Sequence, residues 1–531
     1  MNHIHLFILS LFTFFNTSDS FGQVDNWQAT STYIKMPVFG DVDMNQIVKL
    51  NITSDKNVNV KGKNTVESIE VNFDGSTDLK DILKVEIYTT DSSTFENPVL
   101  FGSSNEIKEQ LEVKGNQTLT SKDLHFWLTI DVKDEIKLTN KIKANISKIN
   151  MTDGSIKHIK NSDPDYIHRA GIAVRRKFDD NVDTYRIPGL ATSNNGTLIA
   201  VYDIRYNRSK DLQENIDIGM SRSTDGGQTW EAMKIIMDMG TYNGLSEEEN
   251  GIGDPAVLVD RKTGTIWAAA LWMHGKKGQS AWAGSEAGMS IEKTGQFMLA
   301  KSDDDGLTWS DPINITSQIK DPEWNLFLDG PGKGITMKDG TLVFAAQYKD
   351  HNAIPHSTII YSKDRGETWK VGTGAKSETT EAQVVELSDG SLMLNMRDNR
   401  NAISRKELLN GRSVFITRDM GETWIEHPSS RRALNESVCM GSLIATEVNG
   451  KNILFFSNPN RPNSRTNITI QTSFDEGKTW PIENKINLHE NQSYGYSCLT
   501  RVDDDHIGIL YEGIGDMYYQ IVPIADLIGK K

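Results

Sequence analysis

Ser223-Thr224-Asp225-Gly226-Gly227-Gln228-Thr229-Trp230 is the stretch on which the fold turns. The pattern Ser-x-Asp-x-Gly-x-Thr-Trp returns at Ser302–Trp309, Ser362–Trp369 and Ser473–Trp480, and Thr417–Trp424 repeats it with Thr in first place. A short apolar run precedes several copies, as in Ser357-Thr358-Ile359-Ile360-Tyr361, so each turn follows a strand. The Asp can accept backbone N–H bonds across a tight turn, and the Gly can take positive φ. The Trp is expected to be buried and to pin the turn to a core. Five copies of one spelling mark a structural repeat rather than a site.

Around these turns, after Asp163-Pro164-Asp165, six segments share one grammar: a short strand, a polar turn, then a second apolar strand. They begin at Tyr185, Asp254, Gly332, Ala382, Gly441 and Ser497, and each of the first five runs on into one of the Asp-and-Trp turns. Six antiparallel units of four strands predict a six-bladed β-propeller. After Tyr511 only one further strand, about Tyr518 to Ile524, remains. Gly171-Ile172-Ala173-Val174 is therefore expected to supply the missing strand of the sixth blade and close the ring. That blade then has no tight turn to carry a sixth copy.

Upstream, residues 23–166 contain near-alternating runs such as Val66-Glu67-Ser68-Ile69-Glu70-Val71 and Phe126-Trp127-Leu128-Thr129-Ile130, which predict a small β-sandwich ahead of the propeller at 167–531. Nothing in the sandwich converges on chemistry, and glycan binding and mere packing both remain open for it. Residues 1–22 carry an apolar run from Ile4 to Phe15, too short to span a bilayer, and resemble a signal peptide processed near Gln23. Export to the periplasm, cell surface or medium is expected, without membrane insertion. The net charge of −15 over 531 residues argues against nucleic acid as a partner. An acidic substrate would need a local cluster of Arg. Cys439 and Cys498 fit no metal motif and are expected to be buried free thiols, with a single disulfide as the rival.

Strand order places the start of each first strand and the end of each second strand on one face, with the Asp-and-Trp turns on the other. Those two positions hold Arg186, Arg205, Asp254, Glu381, Arg397, Tyr496 and Glu512. Charged groups recurring where strands meet one mouth form a candidate site.

From about Arg169 to the end, the chain resembles the sialidase (neuraminidase) family of retaining exo-glycosidases. Tyr185-Arg186-Ile187-Pro188 resembles the family's Phe/Tyr-Arg-Ile-Pro motif, and the five turns resemble its Asp-box repeats. The resemblance implies an exo-α-sialidase acting on sialylated glycoproteins, glycolipids or oligosaccharides, as a monomer and without cofactor or metal. It makes Arg186, Arg397 and Arg465 the triad that grips the substrate carboxylate, a task suited to the fixed, permanently charged guanidinium fork.

A carboxylate nucleophile would be repelled by that substrate carboxylate, whereas a neutral Tyr is not, provided a base stands beside it. The resemblance assigns Tyr496 as nucleophile and Glu381 as its base, with Tyr494 as the rival two residues away. Asp211, in the polar loop 206–215, is the expected acid and then base, with Asp217 as competitor. Glu512 is expected to orient Arg186. Arg205 and Asp254 are expected to face the O4 and N-acetyl side of the sugar, or Asp254 to brace the Arg residues. The Gly-, Ser- and Trp-rich insertion 272–295, centred on Gln279-Ser280-Ala281-Trp282, opens on the same face. A trans-sialidase, an intramolecular trans-sialidase, and a non-catalytic sialoglycan-binding propeller are the rival readings.

Overall fold

The structure is a computed structural model that describes residues 27–54, 65–119, 123–163, 165–402 and 411–529. The expected signal peptide, 1–22, lies outside the described residues. The N-terminal part folds as two facing sheets. One runs Lys160–Asn161, Trp27–Tyr33, Asn45–Ser54, Asp123–Val132, Ile82–Thr90, Val99–Ser104; the other runs Ile156–His158, Asn145–Met151, Thr65–Asn72, Gln110–Thr118. Alternation decides which side chains face inward: Leu111 and Val113 are buried while Gln110, Glu112 and Lys114 are exposed.

This part does not end cleanly before residue 167. Val38–Phe39 pairs in parallel, and Lys141–Ile142 antiparallel, with His168–Arg175. Ion pairs Arg176–Asp41 (2.6 Å) and Lys141–Asp526 (2.7 Å) tie the two parts further.

Six more sheets follow among the described residues, each built on antiparallel hairpins. Their apolar clusters lie at the seams between consecutive sheets rather than inside any one. Val201 and Ile218 of the first sheet pack with Val257 and Ile266 of the second. Leu443 and Phe456 of the fifth sheet pack with Val385 and Met393 of the fourth. One cluster joins Leu510 and Tyr519 of the last sheet to Leu190 and Tyr202 of the first. The sheets therefore close on themselves, and the architecture is that of a β-propeller. Strand His168–Arg175 pairs with Met517–Pro523, placing Ile172 opposite Tyr519, and completes the last sheet.

All five turns share one bonding pattern. In the first, the Gly227 N–H donates to Ser223 Oγ (2.9 Å), and Asp225 accepts from the Thr229 N–H (3.0 Å) and Thr229 hydroxyl (2.7 Å). Those bonds stabilise the carboxylate; the Thr side chain is the main cause that pushes Asp304 and Asp419 down to about 2. The expectation of a buried Trp holds only for Trp369; Trp230, Trp309, Trp424 and Trp480 are half-buried. Each Trp sits at a seam against the preceding sheet, Trp230 for instance with its ring 5.3 Å from Tyr519, and in the four half-buried ones part of the ring stays at the surface.

The third hairpin also differs from the reading above. Its first strand is split into Leu326–Asp329 and Ile335–Thr336, and Gly332–Lys333 crosses to pair in parallel with Ile252–Val259 of the preceding sheet. Pro331 has no N–H to give the ladder and Gly332 stands at φ 110°, so Gly330-Pro331-Gly332 breaks the strand.

Gly227, at φ 94°, has no room for a side chain: a Cβ would lie 2.1 Å from the Tyr519 ring. Gly227→Ala is expected to cost more than ~1 kcal/mol in urea unfolding. An unchanged midpoint would show that this turn does not clamp the first-to-last seam.

Candidate active site

Three first strands carry an irregularity at the point where they reach one mouth. The pairing register shifts between Arg186 and Gly189, between Gly253 and Asp254's neighbour Ala256, and between Thr379 and Ala382. Ile187 and Asp254 adopt positive φ (58° and 61°), costly for residues with a side chain, and each precedes a proline. Such bulges re-aim side chains. Here they bring Arg186, Asp254 and Glu381 into one cavity of about 350 Å³.

Asp211, Arg397, Arg465 and Tyr496 line the same cavity, and none of the Asp-and-Trp turns does. The Tyr496 hydroxyl donates to Glu381 Oε1. Arg397 Nη1 donates to Glu381 Oε2 at 2.6 Å and to the Tyr496 oxygen at 3.3 Å. Tyr494 makes no such contact; its ring lies against the Arg186 guanidinium at 4.7 Å. Burial, then the Glu381 carboxylate, push the Tyr496 phenol well above its usual range against the pull of Arg397 and Arg465, so it is protonated at rest.

Arg465 is fixed through its guanidinium to the carbonyls of Tyr494 (2.8 Å) and Val438 (2.9 Å). Burial acts to discharge Arg186, but Glu512 and Asp211 outweigh it and keep the guanidinium charged. Glu512 is fully buried outside the cavity and accepts from Arg186 Nε at 3.0 Å.

The Asp211 side chain is 70% exposed and bonds to Arg205 Nη1 (2.7 Å) and Arg186 Nη1 (3.2 Å). Partial desolvation in the concave mouth acts to raise its carboxyl, but Arg205 and Arg186 prevail and hold it below the usual range. Its loop is tied to the insertion 272–295, because the Ala281 N–H donates to the Leu212 carbonyl (2.7 Å) and the Gln213 N–H to the Gln279 carbonyl (3.1 Å). That contact sets Trp282, 37% exposed, on the rim with the Lys349 ammonium 5.4 Å from its ring.

The chain matches two family models, "N-terminal domain of BNR-repeat neuraminidase" over residues 26–155 and "BNR repeat-like domain" over residues 187–512. A sialidase of Bacteroides fragilis is 44% identical over 93% of this chain and 92% of its own length. The chain belongs to the sialidase family. A sialidase of Paraclostridium sordellii is 34% identical over 64% of this chain and 84% of its own. The solved structure of Hadza microbial sialidase Hz136 superposes with a TM-score of 0.84 at 41% identity, covering 93% of this chain and 99% of that one.

Within this sialidase-family site, one residue sits elsewhere than expected. Arg205 does not face the cavity. It is 1% exposed and grips Asp203 through Nε (3.0 Å) and Nη2 (2.8 Å), with its remaining nitrogen on Asp211. Asp203 also accepts the Asp254 N–H at 2.8 Å, and so steadies the bulge. Asp203 is not among the residues expected from the sequence, although period-two alternation on Leu198–Arg205 puts it on the same side as Arg205.

Asp254 does line the cavity, and no ion pair joins its carboxylate to the Arg residues among the described ones. Burial first, then Asp203, push its carboxyl well above the ordinary range. Asp329, buried outside the cavity lining with neither carboxylate oxygen bonded among the described residues, is pushed up by burial and then by Asp254. A carboxyl pushed up in this way favours the form that can donate as well as accept. Cys439 and Cys498 are buried and free.

Asp217 is outside the cavity, 8% exposed and bonded by the Tyr206 hydroxyl at 2.9 Å. Burial, then the neighbouring Asp238, raise it from 3.8 to about 7. Between those values the folded chain keeps a proton that the unfolded chain has released, so this group makes stability fall as pH rises. Asp217→Asn should flatten that fall between about pH 4 and about pH 7 in urea unfolding. A variant with the wild-type slope would refute the assignment.

Proposed function

We propose that this chain is an exo-α-sialidase built on a six-bladed propeller, the six sheets being its blades, and that it is exported to act on sialylated glycoconjugates. The observation that carries the reading is Tyr496 bonded to Glu381 on a cavity lined by the three guanidiniums of Arg186, Arg397 and Arg465. Three fixed positive forks suit a carboxylate attached to the carbon under attack, and a neutral phenol approaches that carbon without like-charge repulsion. The family of its relatives supports the same substrate class.

In the proposed first step the Tyr496 oxygen bonds to the anomeric carbon while its proton passes to Glu381. The glycosidic C–O bond breaks, and Asp211 gives its proton to the leaving oxygen. In the second, water attacks the same carbon and surrenders a proton to Asp211. The bond to Tyr496 breaks, and Glu381 returns the phenolic proton. Two inversions leave the configuration retained.

At rest Asp211 is bound by two guanidiniums, which favours its charged form. A substrate carboxylate on Arg186 would take up part of that positive charge, raising Asp211 toward the protonated state that an acid needs. Substrate binding and arming of the acid are in this way one event.

Product NMR tests the reading. The wild type should release the free α-anomer first. Tyr496→Phe should lose that signature, with kcat down about 10²-fold or more. Asp211→Asn should lose about 10²–10⁴-fold on sialosides with poor leaving groups and far less on aryl sialosides. A transferred or anhydro product would replace hydrolysis by the trans-sialidase reading. Saturable binding with no turnover would leave a lectin.

A further inference from the structure

A second cavity, of about 780 Å³, lies where the 163–169 linker, the loop after strand Lys451–Pro459 and the C-terminal helix Ile524–Ile528 meet. Loop 460–467 separates it from the mouth. Arg465 of that loop lines the mouth, whereas Asn460, Arg461 and Asn467 line the second cavity.

Its charges are unevenly matched. The three lining acids are all paired: Asp163 with Lys35 (2.8 Å), Asp165 with Lys143 (3.2 Å), and Asp526 with Lys141 (2.7 Å) and Arg169 (2.8 Å). Arg461 and Lys485 also line it, and neither makes a side-chain hydrogen bond or ion pair among the described residues. Burial, then the like charges of Arg461 and Lys35, lower the Lys485 ammonium from its usual range, which no neighbouring carboxylate offsets.

Neutral hydrogen-bonding capacity is left over as well. Asn460 is only 6% exposed; its Oδ1 accepts from Asn435 at 2.8 Å, but its Nδ2 has no partner among the described residues. Asn487 donates to Asn467 Oδ1 at 2.7 Å, and its own Oδ1 is buried without a partner among the described residues. A buried amide left unpaired is costly in a folded protein. Tyr166 and Ile486 add apolar surface beside these groups.

We propose that this cavity is a second, non-catalytic site for an acidic sugar residue, engaging another sialylated branch of the glycan whose terminus occupies the mouth. A phosphate or sulfate alone would use the two cations but not the apolar wall. A sugar carrying a carboxylate, hydroxyls and a ring face uses all of them. Loop 460–467 borders both sites, and a branched glycan that spans it would make occupancy of the second raise the effective concentration of chain ends at the first. This inference rests on the sialoside reading of the mouth.

The test compares the wild type with an Arg461→Ala/Lys485→Ala variant. Neither residue belongs to the mouth, so turnover of a monovalent aryl α-sialoside should be the same in both, which also reports that the variant is folded. On sialylated mucin the variant's KM should rise about tenfold with kcat unchanged. With the mouth blocked by a 2,3-unsaturated sialic acid analogue, the wild type should still bind sialylated mucin but not asialomucin, and the variant should lose that binding. Equal KM values on mucin, no binding once the mouth is blocked, or equal binding of asialomucin would each overturn the second site. Displacement by inorganic phosphate at matching concentrations would overturn the acidic-sugar assignment. A wild type inert toward the aryl sialoside would instead sink the reading of the mouth.

Discussion

Glu512 is the constraint on which the mouth depends. Its Oε1 accepts from Arg186 Nε (3.0 Å) and the Ile187 N–H (2.9 Å), while Oε2 accepts from the Tyr496 N–H (2.8 Å). One buried carboxylate thus holds a guanidinium from the first sheet and the backbone of the tyrosine that begins the last. It also binds the amide of Ile187, a β-branched residue at φ 58° that would not stay there unaided. Fully desolvated, the carboxylate is tolerable only because all its bonds are made, one of them to a cation.

The same economy governs charge throughout the mouth. In a chain of net charge −15, three guanidiniums face one cavity, and each is restrained from within the protein. Arg186 leans on Glu512, Arg397 on Glu381, and Arg465 on two carbonyls. Among the described residues Arg465 has no carboxylate partner, so its charge is not neutralised by an ion pair. Asp254, on the same cavity, is pushed toward its neutral form by burial and then by Asp203, and Asp329, outside the lining, by burial and then by Asp254. The mouth therefore sets three guanidiniums beside a carboxyl that is harder to ionise than usual.

Much of this was legible in the chain because it is written locally. The eight-residue turns carry their own bonds, with Asp, Thr, Ser and Gly partners never more than four residues apart, so their spelling alone announces them. The mouth residues at strand ends were legible once hairpins could be counted. What could not be read depends on distant partners. Whether a Trp is buried is decided by the neighbouring sheet, as Trp369 against Trp267 shows. The path of Gly330-Pro331-Gly332 is decided by an opening beside Ala256. Arg205 was misplaced because its exposure depends on Asp203, two residues away on the same strand and opposite Arg186 in the ladder.

The closing strand has a consequence for the order in which the molecule is made. His168–Arg175 leaves the ribosome early but waits for Met517–Pro523 near the end of the chain, and Glu512 lies just ahead of that last strand. Until Glu512 is synthesised, Arg186 lacks its buried carboxylate partner and the Ile187 N–H lacks its acceptor, so the strained backbone there has nothing to hold it. The mouth is therefore organised only once residues 512–523 are in place, long after its first strand has been made.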